Sequence, residues 1–315
     1  MLTDFMHVMS FLGSAAFYLP VLVVLFWCVA PRLAARVTVI LLFGAFLNGL
    51  LKLVFHDPRP YWTDPSVKGR ESLSSFGMPS GHSQNAPVFW GFFAVQTRRW
   101  YVWTGAAALV VLIGMSRVYL GVHSVGQVLG GWAIGLAILV AALGLEPIVV
   151  PWWTRRHLAV QIVLALAISL VLLAAAWGAL RPLQGWHWPD AWVHAIRAAG
   201  GHIEPLDLVG SAKATGGLFG VLAGLSLLSA RGWFDPGGVL WRRFARVPVG
   251  IAGAAIVSLF GGTHLVQAFV VQAVLGLWVT AGAPEAFVRL GLASRPAPAL
   301  TRPGDGREER ADRPQ

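Results

Sequence analysis

Long apolar runs separated by short polar stretches dominate the chain. They fall at roughly Ala15 to Ala30, Val37 to Phe55, His82 to Gln96, Trp100 to Met115, His123 to Leu145, Leu158 to Leu180, Val209 to Ala230, Val247 to Gly261 and Leu265 to Thr280. About 20 helical residues cross the hydrocarbon of a bilayer, and backbone with unpaired polar groups cannot face lipid. Each run therefore predicts a membrane helix, about nine in all, and the expected fold class is all-α, a polytopic transmembrane helix bundle. Lys213 falls inside the seventh run, and the eighth and ninth are short.

Composition agrees with the pattern. Of 315 residues, 56% are hydrophobic and 12% charged, with a mean hydropathy of +0.66, whereas soluble domains carry about 25% charged residues. The formal net charge of +10 does not indicate nucleic-acid binding, because the charges cluster between apolar runs; in membrane proteins such an excess marks cytoplasmic loops. The single cysteine, Cys28, lies in an apolar run and excludes an internal disulfide framework or a Cys-based metal site. The first Arg is Arg32, after the first run, and Asp4 precedes it, so no cleaved signal peptide is expected.

Sorting the basic residues by alternate loops orients the chain. Arg32, Arg36, Arg98, Arg99, Arg155, Arg156, Arg231, Arg242, Arg243 and Arg246, with six further Arg after the ninth run, make sixteen on one side. The other side holds Lys52, Arg59, Lys68, Arg70, Arg117, Arg181, Arg197 and Lys213, and eight of the nine His. The richer side is cytoplasmic by the positive-inside rule, which predicts an N-out, C-in topology. Three segments are expected: a core over 1–146, an apolar extension over 147–290 with an outer loop at 181–208, and a Pro-rich, charged, disordered cytoplasmic tail over 291–315. Gly126 with Gly130, Gly131 with Gly135, and Gly216, Gly220 and Gly224 have the four-residue spacing of close helix packing.

Chemistry-bearing residues gather at three helix ends on the outer side. Lys52 lies near the end of the second helix, with Arg59 and Pro60 just beyond it; Pro79, Ser80, Gly81 and His82 open the third; and Ser116, Arg117 and His123 join the fourth to the fifth. A lone cation at a membrane boundary is usually a snorkelling anchor. Three cations and two His on one face suit phosphoryl transfer instead. Arg59 and Arg117 supply guanidinium forks and Lys52 a point charge. Ser80 offers a hydroxyl, and Gly81 lets backbone N–H groups at a helix N-terminus approach the same oxygens. His123 can attack phosphorus to give a phosphohistidine, while His82 protonates the leaving oxygen and later activates water.

These motifs resemble those of the type 2 phosphatidic acid phosphatase (PAP2) superfamily, which includes bacterial lipid phosphatases, glucose-6-phosphatase and vanadium haloperoxidases. Lys52 with Arg59 and Pro60 matches the first part of its signature, Pro79 to His82 the second, and Ser116, Arg117 and His123 the third. The likeness spans about residues 15 to 145. It implies a PAP2-type core and a metal-independent phosphatase without cofactor, with His123 as nucleophile, His82 as general acid, and Lys52, Arg59, Ser80, Gly81 and Arg117 binding phosphate. Taken with the orientation above, it implies a bacterial inner (plasma) membrane location, with the site facing the periplasm or outside. One position departs from the pattern: four residues after the nucleophile the family typically has Asp, and this chain has Gln127. Gln127 can accept the ring N–H and set the tautomer, but brings no charge. The chain is similar to the glucose-6-phosphatase branch in this.

A site at the outer ends of membrane helices is readily reached by headgroups, so a phospholipid or polyprenyl (di)phosphate is the leading substrate class. The alternatives are a soluble phosphoester such as a sugar phosphate, or a catalytically silent protein that binds or moves phosphorylated lipids. Trp186, Trp188 and Trp192, beside His187, His194 and His202, read first as an interfacial aromatic belt. The sharper reading is a lid, with Asp190 to Ala199 a short helix on the membrane. Pro189 and Gly200 interrupt that stretch, so its His residues match no familiar metal-ligand spacing. Asp57, Asp64 and Glu71 flank the cradle and could tune it, but read first as solvated loop charges, and Tyr61, Trp62 and Tyr119 read as interfacial or packing aromatics before substrate contacts.

Overall fold

The computed structural model describes residues 1–203 and 206–295. Among them no strand forms, and a single isolated bridge pairs Asp235 with Ser294. The helices are α1 (Leu2–Leu12), α2 (Ala15–Cys28), α3 (Pro31–Phe55), α4 (Pro60–Thr63), α5 (Gly81–Thr97), α6 (Trp100–Tyr119), α7 (Val125–Thr154), α8 (Leu158–Leu180), α9 (Asp190–Ala198), α10 (Val209–Ala230), α11 (Leu240–Ser258), α12 (Leu265–Leu277) and α13 (Ala283–Arg289). A π-helical turn, Trp278–Gly282, joins α12 to α13. The tail expected to be disordered lies, from residue 296 onward, outside the described residues.

Every predicted run contains a helix, and the expected number of about nine crossings is approximate, since fewer pass on length and hydropathy alone. Six spans are long and apolar enough on their own: Pro31–Thr63, Trp100–Tyr119, Val125–Thr154, Leu158–Leu183, Val209–Ala230 and Leu265–Arg289. Taking α1 and α2 as one span bent by 48° makes seven. The other two runs fall short for identifiable reasons. α5 has 17 residues and buries the polar Ser83 and Gln84 along with its apolar ones. A helix wrapped by α3, α6 and α7 in this way does not have to be apolar all round. α11 starts at Leu240 rather than Val247, so Arg242, Arg243 and Arg246 belong to the helix and not to a loop. Large apolar side chains on α7 and α8 point outward, as lipid-facing residues do: Val140 and Val171 are 68% and 67% exposed.

α7 continues past the expected end at Leu145 to Thr154, through Pro147 and Pro151. The boundary drawn at 146/147 thus falls inside a continuous helix. Its 30 residues rise about 45 Å at 1.5 Å each, longer than a hydrocarbon core of about 30 Å.

Small residues bring the helices close. Gly216 and Gly220 set α10 directly against the backbone of Phe269 and Ala273 on α12, and a Cβ at either would collide with it. Gly131 does the same between α7 and α5, where a Cβ would lie 2.7 Å from the Ser80 carbonyl oxygen. Gly126 and Gly130 differ: the first meets little, and the second faces the Met78 side chain.

At the end of α3 opposite Lys52, Arg246 is fully buried. It donates to the carbonyls of Trp27, Pro236, Gly237 and Leu292, bonds that at a charged group contribute about 1.5–3 kcal/mol each. They clip the C-terminal helices to the end of α2.

Candidate active site

The three helix-end motifs meet at one end of the bundle. Lys52 lies in the last turn of α3, which stops where His56 turns left-handed at φ 34°. The chain then passes Asp57 and Pro58, and Arg59 precedes α4 with Pro60 at its first position, where the missing N–H costs nothing. Ser80 caps α5, its Oγ accepting from the Ser83 amide at 3.4 Å and the Ser83 hydroxyl at 3.0 Å. The Ser80 amide donates to the Gln127 carbonyl at 3.1 Å, tying the start of α5 to the start of α7. After Arg117 the chain turns at Gly121, φ +74°, where a Cβ would collide with the Lys68 carbonyl. That turn delivers His123 one residue before Ser124, which caps α7 in a reciprocal capping box with Gln127.

Arg59 is 1% exposed and has every donor engaged. Its Nε donates to the Ser75 carbonyl (2.7 Å), Nη2 to Ser75 Oγ (3.1 Å) and the Phe76 carbonyl (3.3 Å), and Nη1 to the Val122 carbonyl (2.9 Å). Nη1 also lies 3.0 Å from His123 Nε2. Lys52 Nζ donates to the same Ser75 hydroxyl at 2.8 Å. Arg117, also fully buried, is held differently. Its Nη1 pairs with Glu71 Oε2 at 2.8 Å and contacts Ser10 Oγ, while its Nε and Nη2 are buried with no hydrogen-bond partner among the described residues.

His123 is buried, with Nδ1 3.1 Å from Gln127 Oε1. Burial, with Arg59, Lys52 and Arg117 nearby, pushes this imidazole well below the usual histidine range, against the opposing pull of the Gln127 hydrogen bond. A neutral ring with its proton on Nδ1 leaves the Nε2 lone pair toward Arg59. Burial, with the same three cations nearby, also pushes His82, on the first turn of α5, well below the usual histidine range.

Several readings of single residues change. Asp57 and Glu71 are not solvated loop charges: Asp57 Oδ2 accepts from Gln127 Nε2 at 2.6 Å, and Glu71 pairs with Arg117. Asp64 stays exposed in its own turn with Ser66. Trp186, Trp188 and Trp192 are packed onto the site loop rather than spread as a belt. Trp188 and Trp192 lie 5.6 Å from Trp62, and Trp188 stacks on Phe76 at 5.5 Å. Trp62 and Phe76 are buried in turn, and Phe76 is the residue whose carbonyl Arg59 holds. Tyr61 is a packing aromatic, its hydroxyl donating to the Leu73 carbonyl. Ser116 turns its hydroxyl back onto its own helix at Ile113. His187, His194 and His202 are exposed. Among the described residues no group of three His, Cys, Asp or Glu side chains could hold a metal ion.

The sequence reading missed Ser75, Ser10 and Asn48. Asn48 Nδ2 donates to the Pro79 carbonyl (3.2 Å) and to Gln84 Oε1 (3.0 Å), while Gln84 Nε2 donates to the Gly44 carbonyl (2.7 Å). This network fixes the loop before α5 against α3. Its signal was present: an Asn inside an apolar run, one helical turn before Lys52 and on the same face.

These features define an all-helical integral membrane protein with a buried, cation-rich histidine site at the ends of its helices. The chain belongs to the PAP2 superfamily. Residues 33–147 match the family model described as the PAP2 superfamily, and residues 212–295 match that of the PAP2 superfamily phosphatase transmembrane extension. Phosphatidylglycerophosphatase B of Bacillus subtilis (strain 168) is 35% identical over 162 residues, 46% of this chain and 75% of that protein. Lipid phosphate phosphatase delta of Arabidopsis thaliana is 32% identical over 155 residues, 44% of this chain but only 37% of that protein. A crystal structure of a transmembrane PAP2-type phosphatidylglycerolphosphate phosphatase from Bacillus subtilis is 30% identical, with a TM-score of 0.41, covering 46% of this chain and 77% of that one.

Proposed function

We propose that the protein is a membrane phosphatase that hydrolyses the phosphate or diphosphate ester of a lipid at the outer membrane face through a phosphohistidine. The observation that carries this reading is His123 and its neighbours: a buried imidazole with Nδ1 on Gln127 and Nε2 toward Arg59, beside an Arg117 whose Nε and Nη2 have no partner among the described residues. In the first step the anionic ester offsets the cations around His82 and lets it carry a proton; Nε2 attacks phosphorus, the N–P bond forms as the ester P–O bond breaks, and the lipid alkoxide leaves with that proton from His82. In the second, His82 takes a proton from water, the oxygen attacks phosphorus, and orthophosphate leaves neutral His123. Arg117, Lys52, the Ser80 hydroxyl and the amides opening α5 hold the phosphate oxygens. Arg59 joins them by giving up its bond to Nε2, so its donors follow the negative charge as it spreads in the transition state.

A lipid substrate is supported by the relatives' printed activities and by the site's place at membrane helix ends. Beside the Trp186 and Trp188 side chains lies an open crevice lined by Leu180, Leu183 and Leu265 together with the polar Gln184 and Asp207, a lining of mixed character that a lipid with a polar headgroup could meet. In this reading residues 1–146 form the catalytic unit and 147–290 an extension that walls the lipid side. The membrane is a bacterial inner membrane and the site faces the periplasm. The test is phosphate release by purified protein, with and without vanadate, from phosphatidic acid, phosphatidylglycerol phosphate, undecaprenyl diphosphate, sphingosine phosphate and glucose 6-phosphate. Vanadate-sensitive release from a lipid and none from glucose 6-phosphate is expected. Release from glucose 6-phosphate alone would replace the lipid by a soluble phosphoester, and no release from any would leave a phosphate-binding protein.

The orientation rests on the split of sixteen basic residues against eight. With Cys28 first replaced by Ser, a Ser66→Cys variant should be labelled by an impermeant thiol reagent added to intact cells, and a Thr154→Cys variant protected. Both positions are exposed on the protein surface, so access across the membrane decides the outcome. The reverse pattern would put the site in the cytoplasm.

A further inference from the structure

We infer that Asp57 is a positioning residue for His123, acting through Gln127 to set the ring's tautomer and to supply the negative charge that Gln127 lacks. The inference rests on the phosphatase reading above. A glutamine amide has two donor hydrogens and two acceptor lone pairs, and here all four are used. Nε2 donates to Asp57 Oδ2 at 2.6 Å and to the Pro58 carbonyl at 2.8 Å. Oε1 accepts from the Ser124 amide at 3.2 Å and faces His123 Nδ1 at 3.1 Å.

The two ends of the amide are therefore not interchangeable. A carboxylate and a carbonyl accept only, so the NH₂ must face them and the oxygen must face the ring. His123 can then pair with Gln127 only by donating from Nδ1, which leaves the lone pair on Nε2, the nitrogen that would attack phosphorus. The same chain of bonds carries charge. When the N–P bond forms, the ring becomes cationic, and a carboxylate bonded to the far end of the amide polarises Oε1 toward that cation.

Two features of the fold support a built arrangement. Asp57 and Gln127 are 70 residues apart in sequence, joined only because α3 ends where α7 begins. The Asp57 carbonyl also accepts from the Gly77 amide at 2.7 Å, and a Cβ at Gly77 would collide with the Gln127 amide. The Asp57 backbone and the small residue beside it thus hold the amide in its slot.

The test uses the full-length protein in detergent, with phosphatidic acid as substrate and inorganic phosphate as competitive inhibitor. Asp57→Asn should slow single-turnover phosphoenzyme formation by about 10- to 100-fold, with phosphate inhibition changed by less than about threefold, since the cradle is untouched. Adding Gln127→Asp to Asp57→Asn gives the ring N–H a carboxylate on a side chain too short to press against the Pro58 carbonyl, and should recover about tenfold or more of that loss. If Asp57→Asn keeps parental phosphorylation while His123→Ala abolishes it, the relay is overturned and the phosphatase reading stands. A loss in Asp57→Asn that is matched by weakened phosphate inhibition and not recovered in the double variant also overturns the relay, because it marks a general disturbance of the site. Equal phosphate release by His123→Ala and the parent overturns the phosphatase reading, and the relay with it.

Discussion

His123→Ala is expected to slow phosphate release by about 10⁴-fold or more while leaving the protein folded in the membrane, because removing a nucleophile eliminates the covalent route instead of weakening it. The substitution removes a buried ring that bonds to Gln127 and Arg59. Arg59 retains its bonds to Ser75, Phe76 and Val122, so the loop around it should hold. Comparing phosphoenzyme formation and thermal unfolding for parent and variant separates loss of chemistry from loss of fold. The same residue predicts a pH profile. The proton competes for the Nε2 lone pair, and burial among three cations pushes the His123 pKa below its ordinary value. The acidic limb of kcat/KM that His123 contributes should therefore lie below about pH 6.5, the unperturbed histidine value. A limb at or above that pH that vanishes with His123 would contradict a depressed pKa.

Arg117→Lys should lower kcat/KM by about 10²- to 10³-fold, the range seen when one preorganised transition-state donor is lost. Lys keeps the charge but not the planar fork, and the fork is what divides the work. Nη1 is committed to Glu71 and Ser10, leaving Nε and Nη2 for the phosphate. A single ammonium cannot do both, and Glu71 would hold it. The loss should appear in kcat as well as KM, since donors that meet developing charge act mostly in the transition state. Steady-state kinetics with a lipid phosphate, and the affinity for inorganic phosphate, check this. A variant with parental kcat and raised KM would make Arg117 an ordinary ground-state anchor. Glu71 enters the same account: it is not a free loop charge but the counter-charge that fixes Nη1 of this buried guanidinium, whereas Arg59 and Arg246 are held by carbonyls instead.

The membrane character, the all-helical fold and the place of each motif at a helix end were legible along the chain, because each depends on neighbouring residues. A run of apolar residues near the bilayer thickness has few alternatives to a helix, and Lys52, Ser80 and His123 sit where such runs start or stop. The capping box at Ser124 and Gln127 is equally local, its residues three apart, yet it emerged only with the structure. Crossing number was less legible, since hydropathy measures the whole side-chain complement of a helix and not which side meets lipid. α5 is polar because other helices enclose it, and α11 begins early because Arg246 finds four backbone carbonyls to bind.

The partners of the charged groups were not legible at all. Asp57 faces Gln127, Glu71 faces Arg117, and the tryptophans after α8 cover Phe76 and Trp62. Each of these pairs joins segments remote in sequence, and nothing local in either member selects the other. Their contacts are set by where α3, α5, α6 and α7 come together, and the close packing at Gly131 and the turn at Gly121 govern that meeting. Residue types and spacing therefore told which groups could handle a phosphate, whereas packing settled which of them are neutralised, which are oriented and which keep donors free, because charge pairing in a buried site depends on distances that only the assembled helices define.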